Sequence, residues 1–226
     1  MSRDNILYAL VGVGFGLFFG FLFVAWANQR AAGPEAVQAG AGAAGAAQQS
    51  SITVNDPAQM QRAVADMSQQ ARAKPQDFDA QMLAGRANYQ AQRYDDALEF
   101  FTKASQLRPD DVETTIQLGN VNYDAGHFEA AEKFYTAALV KEPENVNVRT
   151  DLGLTFMLRT PPQYDRAIGE FNRSLERDAR HEQTLQNLVV AYTRKGDKAQ
   201  AQAMLKRLEA INPNNPSLAQ LRADLQ

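Results

Sequence analysis

The chain has 226 residues, 23 basic and 26 acidic side chains and a net charge of −3. Such a balance lacks the basic excess with which nucleic-acid binders neutralise phosphates. Cysteine is absent, which excludes disulfides, thiolate metal sites, a catalytic thiol and a lipid-modified N-terminal cysteine.

Apolar and charged residues are unevenly spread. No charged side chain occurs from Asn5 to Gln29, and Arg3, Asp4, Arg30 and Glu35 sum to zero over the first fifty residues. Ile6 to Ala27 is 22 residues, about 33 Å as a helix and enough for a hydrocarbon core. Tyr8 and Trp26 flank it where amphipathic rings favour the interface. The stretch 1–29 is therefore expected to be a transmembrane anchor contacting the bilayer through residues 6–27. A cleaved signal peptide is the rival reading, with Arg3 as its charged start and Ala25-Trp26-Ala27 as a small-x-small cleavage site. The apolar run is longer than a usual signal-peptide core. Gly12, Gly16 and Gly20 fall on one helix face and would let two membrane helices approach closely, as a homodimer or with a partner's helix. Arg3 and Arg30 balance, so only the terminal amine and the signal-like start place the C-terminal part outside the cytoplasm, in a bacterial inner-membrane arrangement.

Residues 30–55 are dominated by Ala, Gly and Gln. Glycines at 33, 40, 42 and 45 oppose the helix that alanine favours, so a flexible tether is expected. Next, Asp56-Pro57-Ala58-Gln59 reads as an N-cap, a first-turn proline and a capping-box partner. Met60, Val64, Met67 and Ala71 then form one stripe, which predicts a helix over 57–74 packed on the segment after it.

From residue 78 onwards the sequence repeats itself. Gly85, Gly119 and Gly153 recur every 34 residues. Tyr94, Phe128, Tyr164 and Lys198 are spaced 34, 36 and 34, as are Ala97, Ala131, Ala167 and Ala201, and Phe101, Tyr135, Phe171 and Leu205. Pro109, Pro143 and Pro213 close three of the units. Several columns sharing one two-residue insertion define four units, 78–111, 112–145, 146–181 and 182–215. Each unit reads as two helical segments around a turn, 112–125 and 128–141 in the second, with Gly126 between them. A single unit cannot bury its apolar face alone, so the units must stack. After them, Asn215-Pro216 starts a helix over 216–226 whose Leu218, Leu221 and Leu225 would cover the last unit.

Leu118-Gly119, Gly126, Phe128, Ala131, Tyr135, Ala138-Leu139 and Pro143 stand at the offsets of the tetratricopeptide-repeat (TPR) motif. From Phe78 to Asn215 the sequence resembles that family, which implies an all-α helical-hairpin solenoid with capping helices at both ends. The departures are local. Thr160-Pro161-Pro162 replaces the turn glycine in the third repeat, and Asn88 and Asn122 occupy the family's usual tyrosine position. Val189 stands where the other repeats have glycine, which predicts a slightly wider helix pair in the fourth.

The resemblance implies a peptide or partner helix held along the first helix of each repeat, with no enzyme activity and no cofactor. Its groove offsets fall on Asp79, Met82, Arg86 and Tyr89; on Glu113, Ile116, Asn120 and Tyr123; on Asn147, Thr150, Leu154 and Met157; and on Gln183, Gln186 and Val190. Of these, Met82, Arg86, Tyr89, Ile116, Asn120, Tyr123, Leu154 and Met157 are the partner-binding candidates. The clamp for a terminal carboxylate found in chaperone-tail-binding members is not matched. Its positions hold Met82, Arg86, Gln117, Asn147 and Asp151, and Asp151 would repel that ligand. An anchor, a short helix and then repeats also resembles the accessory TPR proteins of bacterial cytochrome c maturation. The implied function is a membrane-anchored interaction scaffold for a client of envelope biogenesis or cytochrome c maturation; the alternative is a self-associating assembly factor of an envelope or secretion complex. His127 and His181 have no converging ligands in the sequence and read as surface residues. Asp95-Asp96 and Asp110-Asp111 read as helix-start acids rather than acid–base pairs.

Overall fold

A computed structural model describes residues 57–226, which belong to one compact unit, Asp56–Gln226. Ten helices occupy the described residues: α1 Pro57–Ala73, α2 Phe78–Gln90, α3 Tyr94–Leu107, α4 Val112–Asp124, α5 Phe128–Lys141, α6 Val146–Met157, α7 Tyr164–Arg177, α8 Glu182–Lys195, α9 Lys198–Ile211 and α10 Leu218–Asp224. Helices α2 to α9 form four successive hairpins, and each hairpin packs on the next. The expected membrane helix with Gly12, Gly16 and Gly20, the linker 30–55 and the Asp56 cap lie outside the described residues. Among the described residues no helix is long and apolar enough to cross a membrane.

The period of the sequence is written in helix starts. Asp77, Asp111 and Asn145 each accept a hydrogen bond from the backbone N–H three residues on, at 3.1, 2.7 and 3.1 Å. These bonds satisfy N–H groups that the first turn leaves without intrahelical partners. His181 takes the same place before α8, but its Nδ1 meets the Thr184 hydroxyl at 2.6 Å and its Nε2 meets Asn147 Oδ1 of the preceding repeat at 3.1 Å. It is thus half-buried in a seam and not the plain surface residue expected from sequence. Burial pulls its pKa below the ordinary 6.5. His127, before α5, is exposed as expected.

The turns inside the hairpins obey a backbone constraint. Gly126 and Gly196 have φ of +79° and +87°, and the next N–H reaches back to Asn122 O at 2.8 Å and Tyr192 O at 2.9 Å. This is the left-handed helix stop that glycine enters at no steric cost. The first repeat makes the same turn with Gln92 at φ 58°, exposed to solvent.

Each recurring glycine is a socket for a ring. A Cβ built on Gly85, Gly119 or Gly153 would lie 2.6, 2.6 or 2.4 Å from a ring carbon of Phe101, Tyr135 or Phe171 respectively. Those three rings are buried, each from the second helix of its own repeat. In the fourth repeat the two sizes are exchanged: Val189 and Leu205 replace glycine and ring, and both are buried. Bulk moves from one helix to the other, so the wider pair expected from Val189 alone is not required.

The two ends differ. At the C-terminus Leu218, Leu221 and Leu225 are buried as expected, on a helix that begins at Leu218 rather than at Asn215-Pro216. At the N-terminus the expected stripe holds at Val64 and Ala71 and fails at its two methionines. Val64, Ser68 and Ala71 face α2, whereas Met67 is only half-buried and Met60 is 44% exposed. The Ser68 hydroxyl donates to Val64 O at 2.7 Å and accepts from Asn88 Nδ2 at 2.8 Å. That bond explains the asparagine in the family's tyrosine column, because a tyrosine there would displace α1.

The longer turn of the third repeat is pinned by charge. Arg159, whose side chain is 9% exposed, pairs with Glu132 of the second repeat, and Arg166 reaches the same carboxylate at 2.6 Å. Both guanidinium groups also lie over the Phe156 ring, at 5.3 and 3.9 Å from its centroid.

Replacing Gln92 by glycine is expected to stabilise the protein by about 0.5–1 kcal/mol in urea unfolding, because it relieves a left-handed φ in a side-chain-bearing residue. Gly119→Val is expected to cost about 2–3 kcal/mol by overpacking against Tyr135. Adding Tyr135→Leu should recover part of that loss, so the double mutant should be less destabilised than the sum of the single mutants.

Candidate functional site

The first helices α2, α4, α6 and α8 present one face that the stacking of repeats does not fully consume. Tyr89, Ile116, Asn120, Tyr123, Leu154 and Met157 are all half-buried there, and Arg86 is exposed. Met82 is different. It is 5% exposed and receives the Thr114 hydroxyl at its sulfur, 3.2 Å away, so it packs in the seam between the first two repeats. Thr150, another groove offset, is fully buried and bonded to the hydroxyl of Thr184 at 2.7 Å. Its place is in the core. Arg86 pairs with Glu113 at 3.5 Å across the same seam, beside a shallow depression that also includes Phe78 and the exposed Leu83.

A cluster of tyrosines and acids occupies the middle of this face. Tyr89, in the last turn of α2, donates its hydroxyl to Asp124 Oδ2 at 2.5 Å, linking the first repeat to the second. Tyr135 lays its ring on Gly119 and brings its hydroxyl out to Asn120 Oδ1 at 2.9 Å. Tyr123 stands beside Asp124 and meets the Phe128 ring edge-on, centroids 5.9 Å apart.

Asp151, half-buried on α6, is a further acid of the first helices. Among the described residues its carboxylate has no hydrogen-bond donor and no ion-pair partner. Burial, and then the charge of Asp124, push its pKa from 3.8 up to about 7. Burial also raises Asp124, against the opposing effect of the Tyr89 hydrogen bond. Tyr89, Tyr123 and Tyr135 are all held well above the usual phenol range, by burial first and by the neighbouring carboxylates second. The tyrosines therefore remain neutral donors at any physiological pH, beside two acids that repel each other.

Neither acid was among the partner-binding candidates, although Asp151 was read as a repelling charge at a clamp position. Asp124 carries a usable signal: it ends α4, where a carboxylate opposes the helix dipole and is locally unfavourable. Asp151 stands in a column with Leu83, Gln117 and Asn187, where it alone is charged. Asp95, Asp96 and Asp111 sit at helix starts as expected. No group of three or more metal-ligating side chains forms among the described residues.

Models of the tetratricopeptide repeat match residues 88–150 and 163–225, and a second such model matches 59–112. The chain belongs to the tetratricopeptide-repeat family. Solved structures share the fold at low identity. YrrB, described as a TPR protein with an unusual peptide-binding site, is 20% identical with a TM-score of 0.62, over 74% of this chain and 84% of its own. MamA from Desulfovibrio magneticus RS-1 is 20% identical with a TM-score of 0.63, over 70% and 88%. TTC0263 from Thermus thermophilus is 19% identical with a TM-score of 0.55, over 66% and 81%. No curated protein matches the chain.

Asp151 has a cost that can be measured. A carboxyl whose folded pKa lies above its unfolded value adds stability at low pH and loses it as pH rises through the folded pKa. For Asp151 that window runs from 3.8 to about 7. Asp151→Asn is thus expected to stabilise the protein at pH 8 by on the order of 2 kcal/mol, with the gain fading towards pH 4 in thermal unfolding.

Proposed function

We propose that this TPR protein is a non-enzymatic scaffold that holds a segment of another protein along its first-helix face. The observation that carries this reading is a face of half-buried Tyr89, Tyr123, Leu154 and Met157 whose apolar surface the repeats leave partly open. Aromatic anchors beside polar groups such as Asn120 and Arg86 are the side chains that dominate binding energy at protein interfaces. The peptide-binding description of YrrB is in keeping with it. Met82 contributes by supporting the seam rather than by offering surface.

In the same proposal residues 6–27 anchor the scaffold in a bilayer, with the repeats outside the cytoplasm of a bacterium. The support is the uncharged 22-residue run from Ile6 to Ala27 and the interfacial Tyr8 and Trp26. A client in envelope biogenesis or cytochrome c maturation follows from the order of anchor, short helix and repeats. Self-association through Gly12, Gly16 and Gly20 is the competing reading, because that stripe would bring two anchors together.

A photo-crosslinking residue at position 123 of the full chain, in native membranes, tests the proposal. Capture of a distinct protein that is lost with Tyr89→Ala, and not with Gly16→Leu, is the expected outcome. A product made only of two copies of this chain and abolished by Gly16→Leu would establish self-assembly instead.

A further inference from the structure

The seams between first helices use the same positions, and the last seam differs in its chemistry. Between the first two repeats the Thr114 hydroxyl meets Met82 Sδ at 3.2 Å and the cap carboxylate of Asp111 at 2.5 Å. Between the last two, Thr184 stands in the place of Thr114 and Thr150 in that of Met82, with their hydroxyls 2.7 Å apart. The cap there is His181, whose Nδ1 meets the Thr184 hydroxyl at 2.6 Å and whose Nε2 meets Asn147 Oδ1 at 3.1 Å. Histidine is the side chain whose ordinary pKa puts its charge change between about pH 5 and 8.

Hydrogen-bond chemistry fixes the direction of each contact. Asn147 Oδ1 only accepts, so Nε2 of His181 carries a hydrogen. In the neutral ring Nδ1 is then an acceptor: the Thr184 hydroxyl donates to it, and Thr150 donates in turn to Thr184. A proton added at Nδ1 reverses this chain. Thr184 must accept from the ring and donate to Thr150, and Thr150 turns to Val146 O of its own helix, 2.8 Å away. Thr150 and Thr184 are both fully buried, so they have each other and not water as partners. One proton therefore turns two buried hydroxyls about and leaves a cation in a half-buried seam.

We infer that the joint between the third and fourth repeats responds to acid: protonation of His181 loosens α8 from α6, and with it the part of the first-helix face that Gln183, Gln186 and Val190 supply. The inference concerns the fold and does not depend on the scaffold reading above. Burial opposes the charge of the ring more than the flanking carboxylates Asp178 and Glu182 favour it, which holds its pKa below the ordinary 6.5. Glu182 is itself engaged by Asn212 and Asn215 at 2.8 and 2.7 Å. The basic groups of the surrounding elements are turned elsewhere. Arg149 of α6 pairs with Glu170 at 3.2 Å, Arg177 of α7 with Glu144 at 3.2 Å, and Arg207 of α9 donates to Ala179 O at 2.6 Å; Arg180 is exposed. A base whose folded pKa lies below its unfolded value stabilises the fold above the unfolded pKa. That contribution is lost as pH falls through the folded one.

Two measurements on the full-length protein in nanodiscs test this. Exchange of the carbon-bound imidazole hydrogen, followed by mass spectrometry, reads the titration of His181 directly. A midpoint below 6.5 is expected, and one at or above 6.5 would overturn the inference. Backbone hydrogen exchange of α8 is then compared between about pH 7.5 and about pH 5 in the wild type and in His181→Asn, after correction for the chemical effect of pH on exchange. Asparagine supplies the cap that Asn145 supplies one repeat earlier, and it does not titrate. Exchange in α8 should rise several-fold on acidification in the wild type and clearly less in the variant. Asp151 acts in the opposite sense over the same range, so the difference between the two proteins is the measure. An equal rise in both, or none in either, would sink the acid-responsive joint. The ring titration needs no variant and decides the matter even if His181→Asn folds poorly.

Discussion

A ring laid on a glycine sets the spacing within the first three hairpins. Phe101, Tyr135 and Phe171 lie so close to Gly85, Gly119 and Gly153 that no side chain fits on the opposing helix. Because the contact recurs at a fixed place, each pair of helices is spaced and rotated alike, and the next hairpin meets the same surface as the last. The fourth repeat keeps the combined volume while reversing which helix supplies it, through Val189 and Leu205. What is preserved is the filled space between two helices, not a residue type at one position.

The same contact links the fold to the candidate site. Seating Tyr135 on Gly119 brings its hydroxyl to Asn120, on the open side of α4. The Tyr89–Asp124 bond then joins neighbouring first helices at that side. The tyrosines are consequently held in place by the core before any partner arrives, which limits the ordering cost of binding. Asp151 and Asp124 run against this economy, since both are held where charge is disfavoured. Strained ionisation of this kind is a common mark of a working surface.

Much of the architecture was legible because a repeat states the same constraint several times. Helix bounds in the second repeat, the closing leucines and the turn at Gly126 follow from columns that agree with one another. Features found once were harder to read. Gln92 adopts a glycine backbone without being glycine, and His181 replaces an Asp or Asn cap, so neither matches its column. Met60 fits a helical stripe by spacing yet is exposed, and between Val64 and Ala71 the buried place goes to Ser68, opposite Asn88, rather than to Met67. In the site, Tyr89 and Tyr123 stand out as paired aromatics at one offset. Asp124 and Asp151 belong to different offsets, and the burial that raises both shows only in the folded structure.

The asymmetry between the two ends has a mechanical side. The C-terminal helix closes the stack with three buried leucines, whereas the α1–α2 junction sets Val64, Ala71 and Ala84 against the Phe100 ring of α3, with Ser68, Gln81 and Asn88 among them. Oδ1 of Asn88 and Oε1 of Gln81 are buried there without a hydrogen-bond partner. Buried polar groups left incompletely paired lower the cost of opening the junction that holds them. Tension entering through residue 57 would therefore peel α1 away as a yielding element, while the hairpins bearing Tyr89, Tyr123 and Asp151 kept their shape.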